Sequence, residues 1–288
     1  MLAHFLGVLI DGLAYGMLLF LLSVGLSVTL GMMNFVNLAH GSFAMLGGYV
    51  SVSLAQGANW PFFATLPAAF VASALVSVLF ERVLYRRLYR ATDLDQCLLT
   101  IGIVFMSVAA AAYFFGTMQQ PANVPSGLRG YVTFLGIDIG RYRLFLIVIA
   151  LIITVGLVAG LEYTRFGAKV RAAVDNQRMA RGLGINVDGL FGITFALGSG
   201  LAGLGGALAI DMVGLDPNFA LKFLVFFLIV VAVGGLGSIG GTLAAAMLLG
   251  ISDTASKYYV PELGAFVLYA VMVGLLMWRP QGLFGKRQ

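Results

Sequence analysis

Long stretches without a charged side chain are the feature that most constrains the fold of this chain. Residues 12–33, 62–80 and 223–252 contain no Asp, Glu, Lys or Arg. About 20 apolar residues in a helix cross a bilayer, where the backbone must satisfy its own hydrogen bonds. The whole chain follows this pattern, with 60% hydrophobic residues, 10% charged residues and a mean hydropathy of +0.99. We therefore predict an all-α, polytopic transmembrane helix bundle.

The basic residues lie between the apolar runs and predict the orientation of the bundle. Of the 17 Lys and Arg residues, 12 fall within 82–90, 165–181 and 279–287. Because cytoplasmic loops are rich in Lys and Arg, these segments and the carboxyl terminus are predicted to be cytoplasmic. Residues 117–143 are rich in Pro and Gly and predict an external, non-helical loop. This spacing is a topology signal and does not indicate nucleic-acid binding.

The same pattern sets the number of membrane segments at about eight or nine, in a single domain over residues 1–288. Further spans are predicted at 96–116, 144–161, 189–210 and 263–278, with 41–59 as a packed or re-entrant helix. The glycine-rich run 189–210 is expected at the centre of the bundle, since glycine lets helix backbones approach closely. The run 223–252 is predicted to form two short helices, which returns the basic tail to the cytoplasm. Their hinge carries Gly234, Gly235, Gly237, Gly240 and Gly241.

Polar groups follow the first apolar run, where Asn34, Asn37 and Gly41 share one helical face and His40 lies beside them. Amide groups at this depth need partners or a watery cavity. One interpretation is helix-to-helix hydrogen bonding or the capping of a broken helix. The other is that they line a substrate path, together with Gly234, Gly235 and Gly237.

One long polar segment, Glu162 to Asp188, separates two apolar runs. A helix is predicted over Arg165 to Arg181, with a small-residue face of Ala172, Ala173, Met179 and Ala180 and a stop at Gly182 and Gly184. Its cations would cost about 3 kcal/mol each in hydrocarbon, so the helix must face water. It is a solvated positive-inside loop, a helix lying on anionic headgroups, or a docking surface, and its length favours docking.

Several chemistries are not encoded in this sequence. No phosphate-binding glycine loop with its lysine is present, and no Cys, His or carboxylate cluster has metal-ligand spacing. The single cysteine, Cys97, excludes an internal disulfide. The central apolar runs also lack the acidic groups of an ion-coupled carrier. An enzyme is therefore not predicted, and transport must be passive or driven by a partner.

Five segments spread from residue 25 to residue 285 carry a resemblance to a known family: RFGAKVRAAVDNQRMARGLGINV, FALGSGLAGLGGAL, GLSVTLGMMNFVNLAHGSFAMLGGY, VAVGGLGSIGGT and RPQGLFG. Together they resemble the permease subunit of bacterial branched-chain amino-acid ABC importers. The resemblance implies a cytoplasmic coupling helix at about 165–184 that docks on an ATP-hydrolysing subunit. The general loop pattern of such permeases has a Glu before paired Ala and a final Pro, whereas Arg171 precedes the Ala pair in this chain. The implied contact residues are Arg165, Lys169, Arg171, Ala172, Ala173, Asn176, Arg178, Ala180, Arg181 and Gly184.

The resemblance further implies a multi-pass protein of the bacterial inner membrane and its partners. These are a second permease subunit, two ATP-binding subunits that carry ATP and Mg²⁺, an external solute-binding protein and membrane lipid. The solute is expected to be a branched-chain amino acid or a related compound, with specificity residing in the binding protein. The alternatives are an ATP-independent channel or facilitator for a small polar solute, and a membrane scaffold.

Overall fold

The computed structural model describes residues 2–33, 35, 37–88, 91–121, 124–134 and 137–284. Helices dominate this part of the chain, and one short β-hairpin interrupts them. The elements are α1 (Leu2–Met33), α2 (His40–Gly57), α3 (Phe62–Phe80), α4 (Arg86–Leu88), α5 (Asp93–Phe115), β1 (Tyr131–Phe134), β2 (Ile137–Gly140), α6 (Arg141–Glu162), α7 (Arg165–Asp175), α8 (Gln177–Gly182), α9 (Val187–Val213), α10 (Phe219–Gly234), α11 (Ile239–Tyr259) and α12 (Gly264–Trp278).

Six helices among the described residues are long and apolar enough to cross a membrane. They are His4–Gly31, Phe62–Leu88, Asp93–Phe115, Arg141–Glu162, Val187–Val213 and Ile239–Tyr259. Two shorter apolar helices, Phe219–Gly234 and Phe266–Trp278, accompany them. The predicted helical membrane bundle is confirmed, and so is the division of 223–252 into two helices. The count of eight or nine crossings stays a prediction.

Helix α9 lies at the centre of the bundle, as its glycine content predicts. It packs against α1, α2 and α3. A Cβ atom built on Gly47 of α2 would lie 2.2 Å from the carbonyl oxygen of Gly203, and one built on Gly206 would lie 1.9 Å from the carbonyl oxygen of Ala44. No side chain fits between backbones at these distances, so glycine is required at both crossings.

Two helices extend beyond their predicted ends. Helix α1 starts at Leu2 instead of residue 12, and Arg143 of α6 donates to Asp11 within it. Because the guanidinium group offsets the charge of Asp11, this residue can lie within the helix, although the predicted span began after it. Helix α3 continues through a π-helical turn, Glu81–Tyr85, into α4. Part of the predicted basic loop is therefore helical, and Glu81 is buried in that turn.

The predicted external loop is non-helical over most of its length but contains unpredicted β structure. Strands β1 and β2 pair antiparallel, with Tyr131 opposite Gly140. The hydroxyl of Thr133 donates to Asp138 across the hairpin at 2.6 Å. Elsewhere in the loop, the backbone N–H of Gln120 donates to the carbonyl of Leu215 at 2.8 Å. The bond to Leu215 holds the start of the loop against the end of the bundle where α9 finishes.

Candidate functional site

One end of the bundle, which we call the basic end, collects α7, α8 and the ends of several long helices. Val28 of α1 packs against the apolar side of α7. Gly31 lies so close to Gly237 that an added Cβ would be 2.2 Å from the Gly237 Cα atom. Helices α1, α6 and α10 therefore finish where α9 and α11 begin. The predicted coupling segment and the glycines around Gly237 belong to this end, whereas Gly41 contacts Ala220 near the opposite end of α10.

Helix α7 follows α6 after a sharp corner, and Thr164 and Gly167 fix that corner. The hydroxyl of Thr164 accepts a hydrogen bond from the backbone N–H of Gly167 at 3.2 Å, which caps the new helix. A Cβ on Gly167 would lie 2.0 Å from the carbonyl oxygen of Leu161. The corner thus requires glycine at this position. The spacing from Thr to Gly was visible in the sequence, but its close approach to α6 was not.

The inner sides of α7 and α8 pack against the start of α9. Their shared apolar cluster, which we call the anchor cluster, consists of Val170, Ala173, Ala180, Val187, Leu190 and Phe191. Each member is at least nine-tenths buried. The small-residue face of the sequence prediction is therefore wrong for Ala173 and Ala180, since both fill the chain's own core and cannot fit a partner's groove. Ala172 is half-buried on the neighbouring face.

The predicted single helix from Arg165 to Arg181 is also wrong, because it breaks at Asn176. This residue is extended, with φ −156° and ψ 98°. Its side-chain oxygen accepts from the N–H of Met179 at 3.0 Å and starts α8. Asn caps helices well and continues them poorly, since its amide competes with the backbone ladder. The predicted stop is confirmed: Gly184 has a φ of +79°, and Ile185 N–H donates to the carbonyl of Ala180 at 3.0 Å.

The five cations of this segment have different surroundings. Arg171 donates to the backbone carbonyls of Leu161 and Glu162 at the end of α6. Arg181 pairs with Asp188 of α9 at 2.7 Å, and Asp188 also lies 3.6 Å from Arg86. The other three cations are exposed and form no ion pair within the described residues. They are Arg165, Lys169 and Arg178.

The segment between α1 and α2 enters the bundle as non-helical chain. Asn37 is 1% exposed; its side-chain oxygen accepts from Ala39 N–H at 3.1 Å, while its amide nitrogen has no partner among the described residues. His40 is buried at the start of α2, and its Nε2 donates to the carbonyl of Leu22 at 2.9 Å. Gly41 touches Ala220 of α10. Asn34 lies outside the described residues. The predicted common helical face is wrong here, because α1 has already ended.

The glycines at the junction of α10 and α11 serve either the close contact of the two helices or the turn between them. A Cβ on Gly241 would lie 2.0 Å from the carbonyl oxygen of Gly234, so these two residues form a backbone crossing. Gly235 and Gly237 have φ values of +94° and +75°, which favour glycine in the turn. A Cβ built on Gly240 would meet no described atom within 4 Å, so the crossing does not require glycine at this position.

The carboxyl-terminal motif closes this junction, which sequence reasoning missed. Leu283 N–H donates to the carbonyl of Val233 at 2.7 Å, and Phe284 N–H donates to that of Gly234 at 3.3 Å. Gly282 has a φ of +81° and allows the chain to turn onto α10. These bonds satisfy two carbonyls at the end of α10. The Pro and Gly of the motif signalled a turn, but nothing in the sequence specified its contact.

Comparison with known proteins identifies the family. The family model for the permease component of the branched-chain amino acid transport system matches residues 8–276. The chain belongs to this permease family. It is a multi-pass membrane transport protein, which confirms the resemblance noted in the sequence. No group of three or more metal-binding side chains occurs in the described part of the chain.

The matching relatives carry consistent names. The permease protein BraD of a high-affinity branched-chain amino acid transport system in Pseudomonas aeruginosa is 25% identical, over 98% of this chain and 96% of BraD. LivH of Escherichia coli is 25% identical over 98% of the chain and 96% of LivH. LivM of the same bacterium, also a permease protein, is 24% identical over 93% of the chain and 68% of LivM. No solved structure matches the chain.

Proposed function

We propose that this chain is the permease subunit of an ATP-binding-cassette importer in the bacterial inner membrane. It forms part of the path for branched-chain amino acids or related small solutes. Its partners are a second, homologous permease, two subunits that bind ATP and Mg²⁺, and an external solute-binding protein. The names of BraD, LivH and LivM support the transport class. The presence of two different permease proteins in E. coli, LivH and LivM, supports a paired path.

The outer surface of α7 and α8 carries this proposal. It exposes Lys169 and Arg178 beside Met179, which is 66% exposed, and Leu183, which is 79% exposed. Exposed apolar side chains among exposed cations are typical of a protein interface, where Met and Arg are enriched. The anchor cluster holds the opposite side firmly on α9. A partner that pushes on this surface therefore pushes on the centre of the bundle.

Charge reversal at Lys169 and Arg178 tests the docking role. Reversal of these two exposed cations leaves the ion pair between Arg181 and Asp188 intact, so the chain should still fold and insert. We expect Lys169→Glu with Arg178→Glu to lose the ATP-binding subunits that co-purify with the tagged wild-type chain, or to retain them with unstimulated ATP hydrolysis. Interfacial charge reversals cost several kcal/mol, whereas contact with anionic lipid contributes only about 1 kcal/mol per cation.

The matched control is Arg141→Glu, which reverses an exposed cation at the opposite end of the bundle. It should leave co-purification unchanged. If the double variant retains the ATP-binding subunits and stimulated ATP hydrolysis at wild-type levels, these cations serve only to orient the chain in the membrane. Uptake that persists after ATP depletion would instead identify an ATP-independent facilitator. The solute itself is best identified by mass spectrometry of the ligand that co-purifies with the binding protein.

Within the path, Asn37 is the residue whose surroundings best fit contact with solute. Its buried amide nitrogen finds no hydrogen-bond acceptor in the described part of the chain and lies where the helical structure is interrupted between α1 and α2. Such a donor is costly without a partner, and a passing carboxylate or carbonyl would satisfy it. His40, Gly41, Gly234, Gly235 and Gly237 make packing or turn contacts instead. Asn37→Ala should lower uptake without loss of assembly, and unchanged uptake would assign Asn37 to capping.

A further inference from the structure

An apolar cavity of about 320 Å³ lies among α1, α3, α6 and α9, close to the basic end. Glycines on α6 create much of the space. A Cβ built on Gly156 or Gly160 would meet no atom within 4 Å. Phe166 of α7 forms part of the wall beside Leu161, the penultimate residue of α6. The cavity therefore reaches from the middle of the bundle to the corner where α7 begins.

The walls of this cavity exclude a polar occupant. Thr194 is the one lining residue with a polar side chain, and its hydroxyl donates to the carbonyl of Leu190 in its own helix at 3.0 Å. An amino acid passing through would leave its charged groups without partners, at a high desolvation cost. Helix α6 also exposes apolar side chains such as Ile152 and Val155, each 60% exposed, at the depth of the cavity. In a membrane the surrounding medium at this depth is lipid hydrocarbon.

The cationic residues of α7 stand beside the same cavity. Arg171 donates to the carbonyl of Leu161, which is a wall residue, and Arg165 directly precedes Phe166. Both arginines are exposed, and neither forms an ion pair within the described residues. The nearby carboxylate of Glu162 offsets only one of the two guanidinium charges, so the group keeps a net positive charge. An apolar slot between helices with cations at its end has the chemistry of an anionic lipid site.

We propose that this cavity binds one acyl chain of an anionic phospholipid, whose headgroup lies on Arg165 and Arg171. The acyl chain fills the space left by Gly156 and Gly160, and the phosphate accepts hydrogen bonds from the guanidinium groups. Because Phe166 lies in both the cavity wall and α7, an occupied cavity supports the corner between α6 and α7. Lipid would then regulate coupling; that consequence rests on the proposed function, whereas the binding site does not.

Photocrosslinking of the purified full-length chain tests the site. The probe is phosphatidylglycerol with a diazirine in its acyl chain, followed by peptide mapping. Label is expected on the peptides that contain Phe166 and Leu201, which both line the cavity. Gly156→Leu places a side chain in the cavity and should abolish this label. Gly102→Leu is the matched control, since Gly102 also lies in a long apolar helix with open space around its Cβ position.

Native mass spectrometry with phosphatidylglycerol measures the headgroup contribution. Arg165→Gln should weaken retention of phosphatidylglycerol about fivefold, the effect expected for one cation near an anionic headgroup. Arg178→Gln on α8, away from the cavity, should leave retention unchanged. Equal retention of phosphatidylcholine by the wild type would overturn the anionic assignment. Label that survives in Gly156→Leu, or that free leucine displaces from the wild type, would overturn the lipid site. None of these readouts depends on transport.

Discussion

Two adjacent glycines lie at the start of α11, where it crosses α10, and substitution of one is the control for substitution of the other. Gly241 and Gly240 both lie in the first turn of α11, but only Gly241 contacts α10. An alanine Cβ at Gly241 would lie 2.0 Å from the carbonyl oxygen of Gly234, where ordinary contact begins at 3.4 Å. The helices would have to separate by 1.4 Å. Gly240→Ala places the same methyl group in open space.

The expected cost follows from what this separation disrupts. Overpacking of a well-packed site costs about 1–3 kcal/mol. The hydroxyls of Thr242 and Ser27, 2.8 Å apart, join α11 to α1, so α11 cannot move away from α10 without straining that contact. Both variants gain the same helix propensity, which cancels when they are compared. Gly241→Ala should therefore be less stable than Gly240→Ala by about 2 kcal/mol, roughly a 30-fold change in the unfolding equilibrium.

Reversible unfolding in mixed micelles measures this difference. Helical circular dichroism is followed as the fraction of sodium dodecyl sulfate rises, and the two variants are compared with the wild type. Gly241→Ala should unfold at a lower detergent fraction, while Gly240→Ala should match or exceed the wild type. Equal midpoints for the two variants would show that α10 and α11 can separate without loss of stability. The close backbone contact would then have no energetic significance.

Three further predictions concern topology and buried polar groups. A cysteine at Gln177 should react only with cytoplasmic reagents and one at Ser126 only with external reagents, and either reversed result would contradict the topology. Tyr142→Phe should destabilise the chain by about 1 kcal/mol in the same unfolding assay, because the hydroxyl donates to a carbonyl of α9 at 2.7 Å. An unchanged midpoint would count against that bond. Lys257→Met should cost more than Asp253→Asn, because it strands a carboxylate that is 3% exposed and paired at 2.6 Å. The reverse order would show that the unpaired carboxylate costs less than loss of its hydrogen bond.

Sequence patterns predicted the helices well where apolar length alone determines them. Residues 62–80 coincide with α3, and the split of 223–252 followed from the charge of the tail. The glycine-rich run now seen as α9 was correctly placed at the centre, since only close-packed helices explain so many glycines. In each case a single physical requirement, such as hydrocarbon thickness or backbone approach, acts on a whole segment.

Local competition between backbone and side chain was harder to predict. Asn176 ends one helix and starts another, although the residues around it favour helix. The β-hairpin depends on pairing between Tyr131 and Gly140, which no local signal in the loop requires. Gly240 and Gly241 are indistinguishable in the sequence, yet only the second lies in the crossing. Such differences depend on which neighbour each residue meets, and that is a property of the assembled bundle.

The anchor cluster determines how rigidly the surface helices are joined to the membrane bundle. The ion pairs of Asp188 are half exposed and contribute at most about 1 kcal/mol each, so they cannot carry a load. The rigid connection comes instead from the close packing of Val170, Ala180 and Phe191, because buried apolar side chains resist compression. Under the proposed function, a force applied to α7 would therefore reach α9, which contacts α1 and α2 backbone to backbone at glycines and has no side chain there that could yield.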